Sequence, residues 1–171
     1  MNMLGKNRIK YKKLSKILAA IDGSEQSMHA TDFAISIATK YEAELIALYV
    51  FYSEIGYAYA SYLSKVEDSP SMAAILDSAK HEANQWFNAI NNKIAQVKST
   101  SDKNGYDIKI NSDVIVTSTS ISAAIIDYAM HNMVNLIVIG TRGRSGFKKL
   151  LVGSVASEVT RDSRCPVLVV R

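Results

Sequence analysis

Apolar positions along the chain fall into two kinds of pattern, short unbroken runs and longer stretches of helical period. Ile17-Leu18-Ala19-Ala20-Ile21 shows no alternation and stops at Asp22-Gly23-Ser24. A run without alternation is what a strand covered on both faces needs, as in a parallel sheet. Leu45 to Phe51 reads as a second such strand, and Leu136-Ile137-Val138-Ile139, ended by Gly140, as another. Val167 to Val170 is a last strand, and Ile108 to Val116, which alternates more, is a less covered one. Helical patterns lie between them. Ser24 suits an N-cap and Glu25 a first turn. Phe33, Ile37 and Tyr41, with Ala30, Ala34 and Ala38 beside them, mark one face of a helix to about Tyr41. Met72, Ile75, Leu76, Ala79, Ala83, Trp86, Phe87, Ile90, Ile94 and Val97 step by three and four, which predicts a long helix with one apolar face throughout. Ser120 caps a helix from Ile121 to about His131, and Ser154 to Asp162 suits a short one.

Strands alternating with helices predict an α/β fold, a parallel sheet with right-handed crossovers. In such sheets ligands sit beyond the carboxyl ends of the strands, where the strand order reverses. Asp22-Gly23-Ser24 and the loop from Gly140 to Gly146 carry residues suited to that place. No repeat or Pro/Gly-rich linker divides the chain, so residues 14–171 read as one domain. Residues 1–13 and 53–71 fall outside the periodic pattern.

Charge adds a second division. The net +4 of this 171-residue chain conceals an asymmetry. Met1 to Lys16 carries six basic residues and no acid, Ile17 to Ile139 has a balance of −7, and Gly140 to Arg171 has one of +5. The first group reads as a solvated basic arm over 1–13. No apolar run approaches the ~18 residues needed to span a bilayer. The run after the basic N-terminus is also shorter than the ~7–15 residues of a secretory core. The single Cys165 excludes an intramolecular disulfide and a cysteine-based zinc site, and reads as a small buried apolar residue. These features predict a cytoplasmic protein with no membrane association.

The C-terminal charge concentrates in one loop. Gly140, Gly143 and Gly146 lie three apart directly after a buried run, with Arg142, Arg144, Lys148 and Lys149 among them and no acid. Glycine lets a ligand approach the backbone, and successive exposed amides form a nest for anions. Gly153-Ser154 then opens a helix whose N-terminus also favours phosphate. The segment reads as a phosphate cradle with two walls; the plainer alternative is a glycine-shaped turn with solvated cations. Neither Gly-x4-Gly-Lys-Ser/Thr nor Gly-x-Gly-x-x-Gly occurs.

The spacing Gly140-x2-Gly143-x9-Gly153-Ser154 resembles the ATP-binding signature of the universal stress protein family. The likeness extends to Ile21-Asp22-Gly23-Ser24, Leu48-Tyr49-Val50, Asn135 to Gly143 and Pro166 to Arg171, and covers roughly Lys16 to Arg171. It implies an adenine-nucleotide α-hydrolase-like fold: a five-stranded parallel sheet of order 3-2-1-4-5 with helices on both faces. It also implies a homodimer and bound ATP. By the same resemblance Asp22 contacts ribose, the backbone at Val50 holds adenine, and Gly140, Gly143, Gly153 and Ser154 contact ribose and phosphates. The full candidate set is Ala20, Ile21, Asp22, Val50, Gly140, Thr141, Arg142, Gly143, Arg144, Ser145, Gly146, Gly153, Ser154 and Val155. Two positions depart from the family pattern. Ser118-Thr119-Ser120 replaces Gly-x-Pro, and Asn135 stands where an acid is common.

Other signals are weaker. Phe51, Tyr52, Tyr57, Tyr59 and Tyr62 form either a flap over the nucleotide or ordinary packing at a crossover or subunit contact. His29, His81 and His131 show no metal spacing, and Glu158 and Asp162 read as surface residues. No general base stands beside the cradle, so hydrolysis should be slow or absent. A magnesium or manganese ion would be held mainly by phosphates, with Asp22 the one acid nearby. Val167 to Val170 is an apolar edge strand suited to pair with its copy in a two-fold dimer. The function this predicts is a nucleotide-bound regulatory switch with protein partners the sequence does not specify. The alternative is an ATPase or nucleotidyl-transfer enzyme. Six cations with only Tyr11 interleaved make nucleic-acid binding a thin case.

Overall fold

Among the described residues strands and helices alternate: β1 (Lys16–Ile21), α1 (Glu25–Tyr41), β2 (Glu44–Tyr52), α2 (Ser71–Thr100), β3 (Ile110–Thr117), α3 (Ile121–His131), β4 (Leu136–Gly140), α4 (Ser154–Asp162) and β5 (Val167–Val170). They come from a computed structural model that describes residues 13–54, 71–100, 108–144 and 152–171. The expectations for arm residues 1–12, Tyr57, Tyr59, Tyr62, Ser145, Gly146, Lys148 and Lys149 lie outside those residues. All strand pairs are parallel and the sheet order is β3-β2-β1-β4-β5, as the sequence led us to expect. No helix among the described residues is long and apolar enough to cross a membrane.

The strands read as unbroken apolar runs because successive side chains feed two cores. Ile17, Ala19 and Ile21 of β1 join Leu45, Ala47 and Tyr49 of β2 and Val138 of β4 under α1 and α2. Leu18 and Ala20 join Ile46, Leu48, Val50, Ile137 and Ile139 under α3 and α4. Period-two alternation is present, but both faces are apolar. β3, at one edge, is only partly covered, which is why it alternates.

Helix caps agree with the sequence. The Ser24 and Ser120 side chains accept from the amides of Ser27 and Ala123, so Ser120 supplies a cap where the family's Gly-x-Pro is missing. The buried face of α1 requires a correction. Ala30, Ala34, Ile35 and Ala38 are buried, whereas Phe33 and Tyr41 are 45% and 51% exposed. The small side chains let α1 lie close to the sheet, and that approach rolls the aromatic residues outward. Phe33 instead meets the His29 ring edge-on at 5.2 Å. Cys165 is half-buried rather than buried and packs against the second core. Glu158 also departs from its surface assignment: it is half-buried and accepts a hydrogen bond from Ser122, joining α4 to α3.

Asn135 fastens the opposite end of the sheet. Its Oδ1 accepts from the Ser15 amide at 2.9 Å, the Ser15 hydroxyl at 2.7 Å and the Lys16 amide at 3.0 Å. A neutral amide oxygen performs this task without the desolvation cost of a carboxylate. Asn135→Ala should lower stability by about 1–2 kcal/mol, seen as a lower urea midpoint at an unchanged slope.

Tyr128 offers a second check on packing. Its hydroxyl donates to Asp113 Oδ2 at 2.9 Å. Burial first, and that hydrogen bond second, push its pKa up to about 12. The folded state therefore holds this proton more tightly than the unfolded chain, whose phenol titrates near ~10. The resulting stability is complete below that pH and is lost as pH rises towards about 12. Tyr128→Phe should lose less stability than the parent across this window in alkaline unfolding curves.

Candidate functional site

The strand order reverses between β1 and β4, since the chain leaves β1 towards β2 and returns on β1's other side. Ligands bind at such a point, outside the carboxyl ends of the strands. A cavity of about 370 Å³ opens there, within the range usual for small-molecule sites.

Each wall has a local cause. Gly23 turns the chain out of β1 with φ +78°, and a Cβ on it would lie 2.1 Å from Trp86 Cε2. The turn therefore needs glycine both for its backbone and for the indole of α2 packed on it. Asp22 closes the turn. Its Oδ1 accepts from the Ser24 amide at 3.0 Å and the Ser24 hydroxyl at 2.6 Å, and its Oδ2 from the Arg144 amide at 2.9 Å. After β4, the Thr141 amide donates to Val170 O at 2.7 Å and the Thr141 carbonyl accepts from the Gly153 amide at 2.7 Å. The glycine-rich loop is thus pinned at Thr141 and Arg144, and the start of α4 is tied back to it. Gly153 caps α4 without a side-chain hydrogen bond, which leaves the orphan amides of its first turn without a side-chain acceptor at the cavity edge that Ser154 and Val155 line.

Ala20, Ile21, Asp22, Val50, Gly140, Thr141, Arg142, Gly143, Arg144, Gly153, Ser154 and Val155 all line this one cavity. Ser145 and Gly146 lie outside the described residues. Asp22 is a turn residue as well as a residue of the cavity wall. Several lining residues had no sequence assignment: Ser27, Leu48, Tyr49, Ile121, Ile125, Ile139 and Ala156. Apart from Ser27 they are apolar residues of elements already read as core, so period alone does not separate wall from interior. Phe51 and Tyr52 line the cavity too, which places the start of the aromatic stretch at the site.

Asp22 is not the one acid nearby. Glu82 of α2 pairs with the Arg144 guanidinium, and that contact holds the Arg144 pKa above its usual value. Glu82 also accepts from the Tyr49 hydroxyl at 2.9 Å. Burial first, then Glu82, push the Tyr49 phenol well up. The one sequence hint of Glu82 is its place one helical turn before the lone tryptophan, Trp86. Among the described residues no group of three or more His, Cys, Asp or Glu is arranged to hold a metal ion. His29 is exposed on α1 and lies against the Arg171 carbonyl at 3.2 Å.

The amides, hydroxyl and guanidinium groups on one side, with apolar strand ends on the other, fit a ligand with an anionic end and a flat apolar end. Known proteins agree on the fold and the family. The model of the universal stress protein family matches residues 13–171. A universal stress protein of Bacillus subtilis is 29% identical over 157 residues, covering 92% of this chain and 99% of its own. Among solved structures, one from Lactobacillus plantarum superimposes with TM-score 0.67 at 23% identity, covering 94% of this chain and all of that one. A structure from Archaeoglobus fulgidus, in complex with dAMP, has TM-score 0.60 at 16% identity, and covers 94% of this chain and 100% of that one. A further universal stress protein, in complex with cAMP, has TM-score 0.55 at 23% identity, and covers 94% of this chain and 98% of that one.

Proposed function

The chain belongs to the universal stress protein family, and on that premise we propose that it is an ATP-binding regulatory module. The observation that carries the proposal is the convergence of Asp22, Val50, the Gly140–Arg144 loop and the start of α4 on one cavity. Apolar Val50, Leu48 and Ile125 suit a purine, Asp22 suits ribose hydroxyls, and backbone amides with the Ser154 hydroxyl suit phosphate oxygens. Adenine nucleotides bound in two structures of the same fold support this reading. Magnesium or manganese would ride mainly on the phosphates, with Asp22 alongside. The cytoplasm, where adenine nucleotides are abundant, is the setting the proposal assigns. β5 bonds to β4 on one side, and its outer edge would pair with that of a second copy to give a homodimer.

Bound nucleotide acts here as a switch, changing the surface that protein partners meet. Denaturing the purified protein and identifying released nucleotide by chromatography tests the reading. An adenine nucleotide in near-equal amount to protein, or ATP uptake by stripped protein, is expected. Protein that neither carries nor takes up ATP would overturn it. Turnover well above a no-protein control, lost on mutating Arg142, Arg144 or Ser154, would favour an enzyme instead.

A further inference from the structure

Arg144, on the phosphate side of the cavity, already has a charge partner inside the protein. Its guanidinium pairs with Glu82 Oε1 and stands 5.9 Å above the Trp86 ring. Glu82 does not float: its other oxygen accepts from the Tyr49 hydroxyl at 2.9 Å. Tyr49 is 5% exposed, and its ring meets Trp86 edge-on at 5.0 Å. A cavity residue thus fixes the acid, and the acid fixes the arginine. The Arg144 amide is anchored separately, on Asp22, so the side chain can change partners while the loop stays in place.

We propose that Glu82 is a built-in anion that competes with a ligand's phosphate chain for Arg144, and so sets how well the site tells a nucleoside polyphosphate from a nucleoside. This rests on the nucleotide reading of the cavity. Carboxylate and phosphate offer the guanidinium fork the same acceptor geometry, so one can replace the other. The exchange is feasible because the pair is partly solvated, with side chains 56% and 29% exposed. Pairs of that kind are worth about a two- to fivefold factor in an equilibrium, which several phosphate charges outweigh. Glu82 is therefore a specificity-setting residue that acts through Arg144. Trp86 is the chain's single tryptophan, so its emission reports whether the guanidinium leaves the indole face.

The test titrates the full chain with ATP, adenosine and inorganic tripolyphosphate, by calorimetry and by Trp86 emission. The proteins are the parent, Glu82→Gln, Arg144→Gln and the double variant. Glu82→Gln should bind ATP and tripolyphosphate about two- to fivefold more tightly and adenosine equally well. That gain should vanish in the Arg144→Gln background, as a coupled pair requires. Tripolyphosphate should also change Trp86 emission in the parent and not in Arg144→Gln. Tyr49→Phe, which loosens Glu82 without altering charge, should shift affinity in the same direction. Equal ATP affinity of parent and Glu82→Gln overturns the proposal, as does a gain that persists without Arg144, which would be simple removal of negative charge. If tripolyphosphate shows the full pattern and ATP binds to none of the four, the competition stands and the nucleotide reading falls. If neither ligand binds, both fall.

Discussion

Gly143→Val is expected to weaken ATP binding by about a hundredfold while leaving the fold intact. A Cβ at this position would stand 2.5 Å from Asp22 Oδ2, closer than non-bonded atoms of this kind approach, and valine adds two more carbons. Either Asp22 rotates and releases Ser24 and the Arg144 amide, or the loop lifts off the β1 turn. Both outcomes dismantle the cradle. A ligand hydrogen bond to a charged group is worth about 1.5–3 kcal/mol, so losing one or two of the nucleotide's contacts with Asp22 or the loop amides accounts for the hundredfold figure. Isothermal calorimetry gives the affinity, and a cooperative thermal melt lowered by no more than about 10 °C shows that the fold survives the loss of those bonds. Asp22→Ala should weaken binding in the same direction, because it removes the same link from the other side. Parent-like affinity in both variants would detach this loop from the site.

Gly140→Val is expected to act on stability instead. Its Cβ would lie 2.8 Å from Gln26 C and 2.9 Å from Gln26 O, both backbone atoms of α1 that no rotamer change can move. The first turn of α1 rests on the end of β4 here, so valine must push the helix from the sheet. Overpacking of this kind costs about 1–3 kcal/mol or more. For a domain of this size a loss of about 3 kcal/mol lowers Tm by roughly 6–12 °C. Differential scanning calorimetry decides it: a melt like the parent's would mean that the approach of α1 to β4 is looser than described. The two glycines thus separate the two kinds of constraint in one motif, a floor for the helix at Gly140 and a seat for Asp22 at Gly143.

Much of this was legible in the sequence, for physical reasons that differ by element. Runs such as Ile17 to Ile21 and Leu136 to Ile139 announce buried parallel strands because a side chain on either face meets apolar neighbours. Ser24 and Ser120 announce helix starts because their hydroxyls accept from first-turn amides that have no partner within the helix. Glycine spacing located the loop because Gly140 and Gly143 are positions where backbone and carboxylate leave no room for a Cβ. The outward face of α1 was not legible. Phe33 and Tyr41 look like core by hydrophobicity, and only the close seat of the alanine stripe on the sheet excludes them. Glu82 was not legible either, since its contacts with Arg144 and Tyr49 join residues 62 and 33 positions apart. Apolar wall residues such as Leu48 and Ile125 are the same residue types as the core beside them. Where the sheet stops and the cavity begins is a matter of three dimensions.

The central claim is that an adenine nucleotide occupies the cavity where the β1 and β4 loops meet. A crystal structure of the protein grown with saturating ATP tests this most directly. The account predicts adenine against Val50, ribose at Asp22, and phosphates on the amides of the Gly140–Arg144 loop and the start of α4. An empty cavity at saturating ATP, or a nucleotide bound elsewhere on the chain, would contradict it.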